Sequence, residues 1–113
     1  MVTSECWLVS AGHVLASAER ADEPRSRARG LLGRTGIEGA LVLSKCRSVH
    51  TIGMKFAIDV AYLDPEGFVL KVAQLRRNRL AMPVWKATTV VEAEAGAFER
   101  WGLHVGDQLE LRE

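Results

Sequence analysis

The sequence predicts a mainly β, compact single-domain protein, an antiparallel β barrel or sandwich with one or two short helices. Three observations support this prediction. Short runs of β-branched and aromatic residues recur along the chain, and turn-forming residues separate them. Only two stretches have the residue spacing of a helix, and both are brief. The chain has 113 residues, of which 48% are hydrophobic and 26% charged, which is enough for one core and too little for two.

The first half of the chain predicts a hairpin, a helix and a strand. Two apolar runs on either side of Ala11-Gly12 are typical of a β-hairpin. Asp22 is a suitable N-cap for a helix that continues to residue 32, and Gly33 or Gly36 would end that helix. Residues 40–43 then form a brief strand.

The second half is predicted to contain four strands and one helix. The strands cover residues 56–63, 68–75, 88–95 and 108–111, and the helix covers residues 96–101. Residues 64–67, Asp-Pro-Glu-Gly, have the composition of a type I turn. Gly102 is expected to end the helix in the left-handed conformation, so that Leu103 packs back onto it.

The charge balance gives no strong overall electrostatic field. Fifteen basic and fourteen acidic residues leave a formal charge of +1, so the sequence carries no strong nucleic-acid signal and predicts no membrane partner. The first residues lack the pattern of a signal peptide, and no run approaches the roughly 18 apolar residues of a membrane span. We therefore expect a soluble, cytoplasmic protein in which Cys6 and Cys46 are reduced.

The segment from Ser48 to Asp64 contains the main candidate for a site. Asp59 lies in its strand, between Ala57 and Ala61 on the same face. A carboxylate without a partner inside a protein is costly, so we expect Asp59 to have one, and its small neighbours leave room for it.

Two interpretations of this acid follow. In the first, Lys55, Arg29 and Arg34 offer donors to an anionic or carbonyl-bearing ligand in a cleft, while Asp59 holds one of these cations. In the second, Asp59 has a structural role and anchors the arginine-bearing helix by accepting hydrogen bonds from Arg29 or from backbone amides.

Five sequence blocks in a defined order resemble one known family. The blocks are RGLLGR at 29–34, GALVL at 39–43, HTIGMKFAID at 50–59, VEAEAG at 91–96 and GLHVGD at 102–107. Together they resemble the bacterial and archaeal "domain of unknown function 192" family over residues 25–111. The resemblance implies a small mainly β domain without an assigned activity. Many members carry an aromatic-Trp-Met-Lys-Asn-Thr block here, whereas this chain resembles a His-Thr-Phe-Gly-Met-Arg-Phe variant, with Ile52 in the place of the aromatic residue and Lys55 in that of the arginine. The chain also lacks the secretion signal that many members carry.

Other residues suggest further chemistry. Cys46 and His50 could act as a nucleophile and its base, or as half of a metal site, but no further ligand spacing accompanies them, and we predict no metal and no cofactor. Glu92 and Glu94 could form an acid pair, although a solvated strand face is the simpler interpretation. Arg76, Arg77 and Arg79 with Trp85 have the composition of an RNA-binding patch.

The sequence therefore supports three hypotheses and does not decide whether the protein is an enzyme. The first is a ligand- or partner-binding β-domain whose polar site lies between the helix of residues 29–34 and the segment 50–59. Its ligand-binding candidates are Arg29, Arg34, His50, Met54, Lys55 and Asp59. The second is a small enzyme in which His50 is the general acid or base, helped by Asp59 or Cys46. The third is an RNA-binding module.

Overall fold

Seven strands and two short helices follow one another along the described chain. The computed structural model describes residues 3–113, and it describes side chains from Cys6 onward other than that of Ser26. The elements are β1 (Thr3–Ser10), β2 (His13–Ala21), α1 (Pro24–Arg29), β3 (Ala40–Ser44), β4 (Ile58–Leu63), β5 (Val69–Leu75), β6 (Thr89–Glu94), α2 (Ala97–Trp101) and β7 (Leu109–Arg112). Neither helix has the length and apolar composition to cross a membrane.

All seven strands belong to one sheet, in the order β5-β4-β6-β3-β2-β1-β7. Neighbouring strands are antiparallel, except that β2 and β3 are parallel. The predicted mainly β single domain with two short helices is confirmed. The barrel or sandwich was too specific a description, because β5 and β7 do not pair as strands. Among the described residues, Phe68 and Gln108 join these two ends of the sheet through an isolated bridge.

Local sequence signals account for several of the connections. Ala11 and Gly12 have φ values of 50° and 80°, so both lie in the left-handed region that a two-residue type I′ hairpin requires. After β4, the Asp64 carbonyl accepts the Gly67 N–H at 3.0 Å, which closes the predicted turn. After α2, Gly102 has a φ of 67°, and Leu103 is buried as predicted.

The helix α1 is shorter than the sequence predicts. It ends at Arg29, and Gly30 follows with a φ of +51°, whereas the expected end was Gly33 or Gly36. The chain then runs irregularly to β3, and Leu31 is buried in this stretch. Residues 22–39 therefore connect two parallel neighbours in the sheet while also covering part of one sheet face.

Both faces of the sheet carry a hydrophobic cluster. On one face Ala61 and Leu63 pack in a cluster with Phe98 of α2. On the other face Val60 and Tyr62 pack in a cluster with Leu31. Because successive strand residues point to opposite faces, a strand covered on both sides has no exposed side. All six residues of β4 are accordingly buried.

Candidate functional site

Asp59 is buried, as expected, but its partners are not cations. Its Oδ2 accepts hydrogen bonds from the backbone N–H groups of Gly96 and Phe98, each at 3.0 Å, and its Oδ1 accepts one from Nε2 of Gln74 at 3.1 Å. Gly96 precedes α2 and has no side chain that could cap it, so Asp59 supplies the missing acceptor. Asp59 therefore has the structural role of accepting backbone amides, but the helix that it anchors is α2 and not the arginine-bearing helix that the sequence predicts.

The expected contact between Asp59 and the arginines is wrong, because the two lie on opposite sides of the sheet. Asp59 shares its strand face with Ala61, in the cluster that contains Phe98, whereas Leu31, which follows α1, belongs to the other cluster. Arg34 instead pairs with Glu19 through two hydrogen bonds of 2.8 and 3.1 Å.

A second buried acid, Glu92, lies on the α1 side. Its neighbours in the sheet are Leu41 of β3 and Val60 of β4, and 4% of its surface is exposed. No described group bonds to its Oε1. Burial disfavours the charged form and raises the pKa of Glu92 from 4.5 to about 7. The carboxyl group is therefore partly protonated near neutral pH.

The prediction that Glu92 and Glu94 share a solvated strand face is wrong for Glu92. Glu94 is exposed. Glu92 lies two residues earlier on β6, where strands flank it on both sides and the chain after α1 passes over it. The position of Glu92 in the middle of the sheet, rather than its local sequence, explains its burial.

A cleft of about 450 Å³ lies against Glu92. We call it the Glu92 cleft. It is bounded by the sheet, by α1 with the turn that follows, and by residues 45–54. Its apolar lining comes from Leu31, Leu43, Val49 and Met54. An apolar cleft with a small number of polar groups is the usual form of a small-molecule site.

Gly30 lies next to the carboxyl group of Glu92, whose Oε1 is itself buried. A Cβ atom at position 30 would lie 3.4 Å from Oε1 of Glu92 and 3.9 Å from Cδ2 of Leu43. Oε1 of Glu92, which has no hydrogen-bond partner, therefore faces the backbone of Gly30 at the end of α1.

Basic side chains also line the cleft. They are Arg27, Arg29, Lys45 and His50. Arg27 donates to the backbone carbonyl of Asp22, and Arg29 donates through Nε to the carbonyl of Leu32 at 3.3 Å. Neither guanidinium forms an ion pair with a carboxylate among residues whose side chains are described. Both keep donors for an anionic group.

Cys46 lines the same cleft in its thiol form. Its Sγ donates a hydrogen bond to the Ser48 carbonyl at 3.2 Å, and burial is the main cause that raises the pKa of Cys46, with the nearby Glu92 adding to the effect. Since the thiolate is the nucleophile, this environment opposes nucleophilic chemistry. No three His, Cys, Asp or Glu side chains come together as a metal site in the described part of the chain.

The structure brings together some of the predicted site residues and separates others. Arg29, Cys46, His50 and Met54 line the Glu92 cleft. Three predicted residues do not line it, namely Arg34, Lys55 and Asp59. From the sequence Glu92 was only a possible partner of Glu94 in an acid pair. Alternation along β6 places Glu92 on the same face as the buried Val90, but it places the exposed Glu94 there too, so it does not show which acid is buried.

A family model matches almost the whole chain. The model is DUF192, described as "Uncharacterized ACR, COG1430", and it matches residues 7–111. The UPF0127 protein PF1050 of Pyrococcus furiosus is 36% identical over 63 residues, which is 56% of this chain and 54% of that protein. The match thus spans about half of that relative.

Two crystal structures share the fold. A protein of unknown function from Novosphingobium aromaticivorans DSM 12444 has a TM-score of 0.78 at 19% identity, covering 96% of this chain and 84% of that one. A protein from Sinorhizobium meliloti 1021, described as a "putative transcription regulator", has a TM-score of 0.83 at 18% identity, covering 98% and 96%. At these identities the likeness shows the fold alone.

Proposed function

We propose that this chain, which belongs to the DUF192 family, is a non-catalytic binding domain that takes a small polar organic molecule into the Glu92 cleft. One observation carries the proposal: the carboxyl group of Glu92 is buried, has no partner for Oε1 and borders a cleft that apolar and basic side chains line together. A buried polar atom without a hydrogen bond costs about 1–3 kcal/mol. A ligand that bonds to Glu92 would remove this cost.

The chemistry of the cleft suggests which groups the ligand carries. An N–H donor would bond to Oε1 of Glu92, and an ammonium group would also favour its ionised form. Arg27, Arg29 and Lys45 also line the cleft and would attract a carboxylate or phosphate. The combination suits a small molecule with an amino group at one end and an anionic group at the other.

The geometry gives less support to the enzyme hypothesis. His50 borders the cleft, but Asp59 caps α2 on the opposite face of the sheet, so this acid cannot assist it. Cys46 is held as a thiol, since burial raises its pKa. A binding role needs none of these groups to react.

The test is a titration followed by ¹H–¹⁵N NMR. The probes are straight-chain ω-amino acids, with the alkylamine and the alkyl carboxylate of the same length as references. We expect the ω-amino acids to shift the amide signals of Gly30 and Glu92 more than either reference does. Glu92→Gln should weaken binding at least tenfold, because the neutral amide cannot pair with an ammonium group.

The matched control is Glu94→Gln, which changes an exposed acid on the same strand and should leave affinity unchanged. Signal changes that map away from the cleft would refute the proposal. So would equal affinity of Glu92→Gln and the wild type, provided that the variant retains the wild-type spectrum elsewhere.

We also assign the domain to the cytoplasm. Cys6 and Cys46 are both free thiols, which a reducing compartment maintains. When cells are lysed in the presence of an alkylating reagent, we expect Cys6 and Cys46 both to be recovered in the alkylated form, which shows that they were reduced. Recovery of either cysteine in a mixed disulfide would argue against this assignment.

A further inference from the structure

The small net charge hides a strong segregation of charge along the chain. Residues 39–58 and 67–91 contain eight of the fifteen basic residues and no aspartate or glutamate. All fourteen acidic residues therefore lie elsewhere in the chain. A charge of +1 for the whole chain is thus compatible with one strongly basic surface.

The structure joins parts of these two segments side by side. His50 and Leu80 form a β-bridge. The Ala81 N–H donates to the carbonyl of Val49 at 3.1 Å, and the Val84 N–H donates to the carbonyl of Arg47 at 2.9 Å. Residues 47–52 and 76–86 therefore form one continuous surface, which we call the basic-apolar face.

A buried threonine holds this face in shape. Thr51 is fully buried, and its Oγ1 accepts the Arg79 N–H at 2.8 Å and donates to the carbonyl of Arg76. Its own backbone N–H donates to the carbonyl of Arg79 at 2.8 Å. The segment after β5 is irregular, but specific hydrogen bonds define its backbone.

Large apolar side chains project from the basic-apolar face. Leu80 is 77% exposed, Met82 78% and Trp85 74%. The three residues lie within six positions of one another along the chain. Such exposure is costly in water, and grouped exposed apolar residues mark interaction surfaces.

Basic residues accompany these apolar side chains. Arg47, Arg76, Arg77, Arg79 and Lys86 are all exposed. Among residues whose side chains are described, none of them forms an ion pair. The partner of this face must therefore offer negative charge and an apolar layer together.

We propose that the basic-apolar face docks on the surface of an anionic lipid bilayer. Tryptophan, leucine and methionine enter the region between headgroups and acyl chains, while arginine and lysine contact lipid phosphates. A single-stranded nucleic acid fits less well, because its bases stack on aromatic rings and Trp85 is the one phenylalanine, tyrosine or tryptophan within residues 47–52 and 76–86. This inference does not depend on the Glu92 cleft.

The test is sedimentation with lipid vesicles at low and high salt. The vesicles contain either phosphatidylcholine alone or an equimolar mixture of phosphatidylcholine and phosphatidylglycerol. We expect the protein to sediment with the mixed vesicles, to stay in solution with the neutral ones, and to be released by salt. The triple variant Arg76→Gln, Arg77→Gln, Arg79→Gln should bind about a hundredfold more weakly, because each cation near the surface contributes about fivefold.

A second variant tests the apolar contribution. Leu80→Ser with Met82→Ser should also lose binding, whereas Val14→Ser with Val105→Ser, which changes two exposed residues outside the face, should not. The Trp85 side chain gives an independent readout. Mixed vesicles should shift the tryptophan emission to shorter wavelength, and Trp85→Phe should remove that shift while most of the binding remains.

Three outcomes would overturn the proposal. They are absence of vesicle binding by the wild type, equal binding to neutral and anionic vesicles, and binding of single-stranded RNA that the same variants abolish while vesicle binding stays undetectable. Circular dichroism of each variant establishes that it is folded, so that lost binding reports on the surface itself.

Discussion

The buried carboxyl group of Glu92 makes stability depend on pH in a specific direction. Its pKa is about 7 in the folded protein and 4.5 as the ordinary value. Below pH 4.5 both the folded and the unfolded chains hold the proton, so this group adds no pH dependence. Between pH 4.5 and 7 the unfolded chain releases the proton while the folded chain keeps it. The free energy of unfolding therefore falls as the pH rises, and it levels off above pH 7.

The size of the effect follows from the pKa difference. Each unit corresponds to about 1.4 kcal/mol, so the shift of Glu92 from 4.5 to about 7 predicts a loss of about 3 kcal/mol. For a domain of this length that is a large fraction of the total stability. The variant Glu92→Gln cannot ionise and should not show this loss.

The assay is urea unfolding of the wild type and of Glu92→Gln at a series of pH values from 4 to 8. We expect the stability of the variant relative to the wild type to increase by about 3 kcal/mol over this range. The absolute difference at one pH also includes the altered packing and hydrogen bonding, so the slope is the readout. A difference that is constant with pH would refute the reasoning. Glu94→Gln, which changes an exposed acid at the end of the same strand, should give a flat difference.

Two further predictions concern the fold. Asp59→Ala leaves the N–H groups at the start of α2 without an acceptor. We expect the free energy of unfolding, measured in urea, to fall by about 2–5 kcal/mol. A decrease below about 1 kcal/mol would contradict the capping role. Gly39→Ala should lower the melting temperature much more than Gly106→Ala. Both glycines have positive φ, but a Cβ at Gly39 would lie 2.2 Å from the Ser17 carbonyl oxygen, whereas one at Gly106 meets nothing within 4 Å. Equal effects would contradict this.

Features that depend on neighbouring residues could be predicted from the sequence. The hairpin at Ala11-Gly12 and the end of α2 at Gly102 each need a left-handed backbone, and glycine signals this locally. The family resemblance could also be recognised from the sequence, because it depends on short motifs that follow one another in a fixed order. These signals determined the class of the fold and the approximate position of most strands.

Features that depend on the order of strands could not be predicted in the same way. Alternation shows that Asp59 and Ala61 share a face, but it does not show that α2 covers this face and that the chain after α1 covers the other. For the same reason Glu92 resembled a solvated residue, since its burial comes from β3 and β4 on either side. The basic-apolar face arises from pairing between residues 47–52 and 76–86, which are distant in the chain.

The single parallel pair of the sheet, β2 with β3, has an evolutionary implication. A strand that runs in the same direction as its predecessor requires the chain to return along the sheet, and here residues 22–39 make that return. Residues 22–39 contain no strand of the sheet. Insertions and substitutions in them can therefore change the volume and polarity of the cleft beside Glu92 while the strands keep their register. Under the binding role that we propose for the Glu92 cleft, relatives with the same scaffold are free to diverge in the molecules they accept.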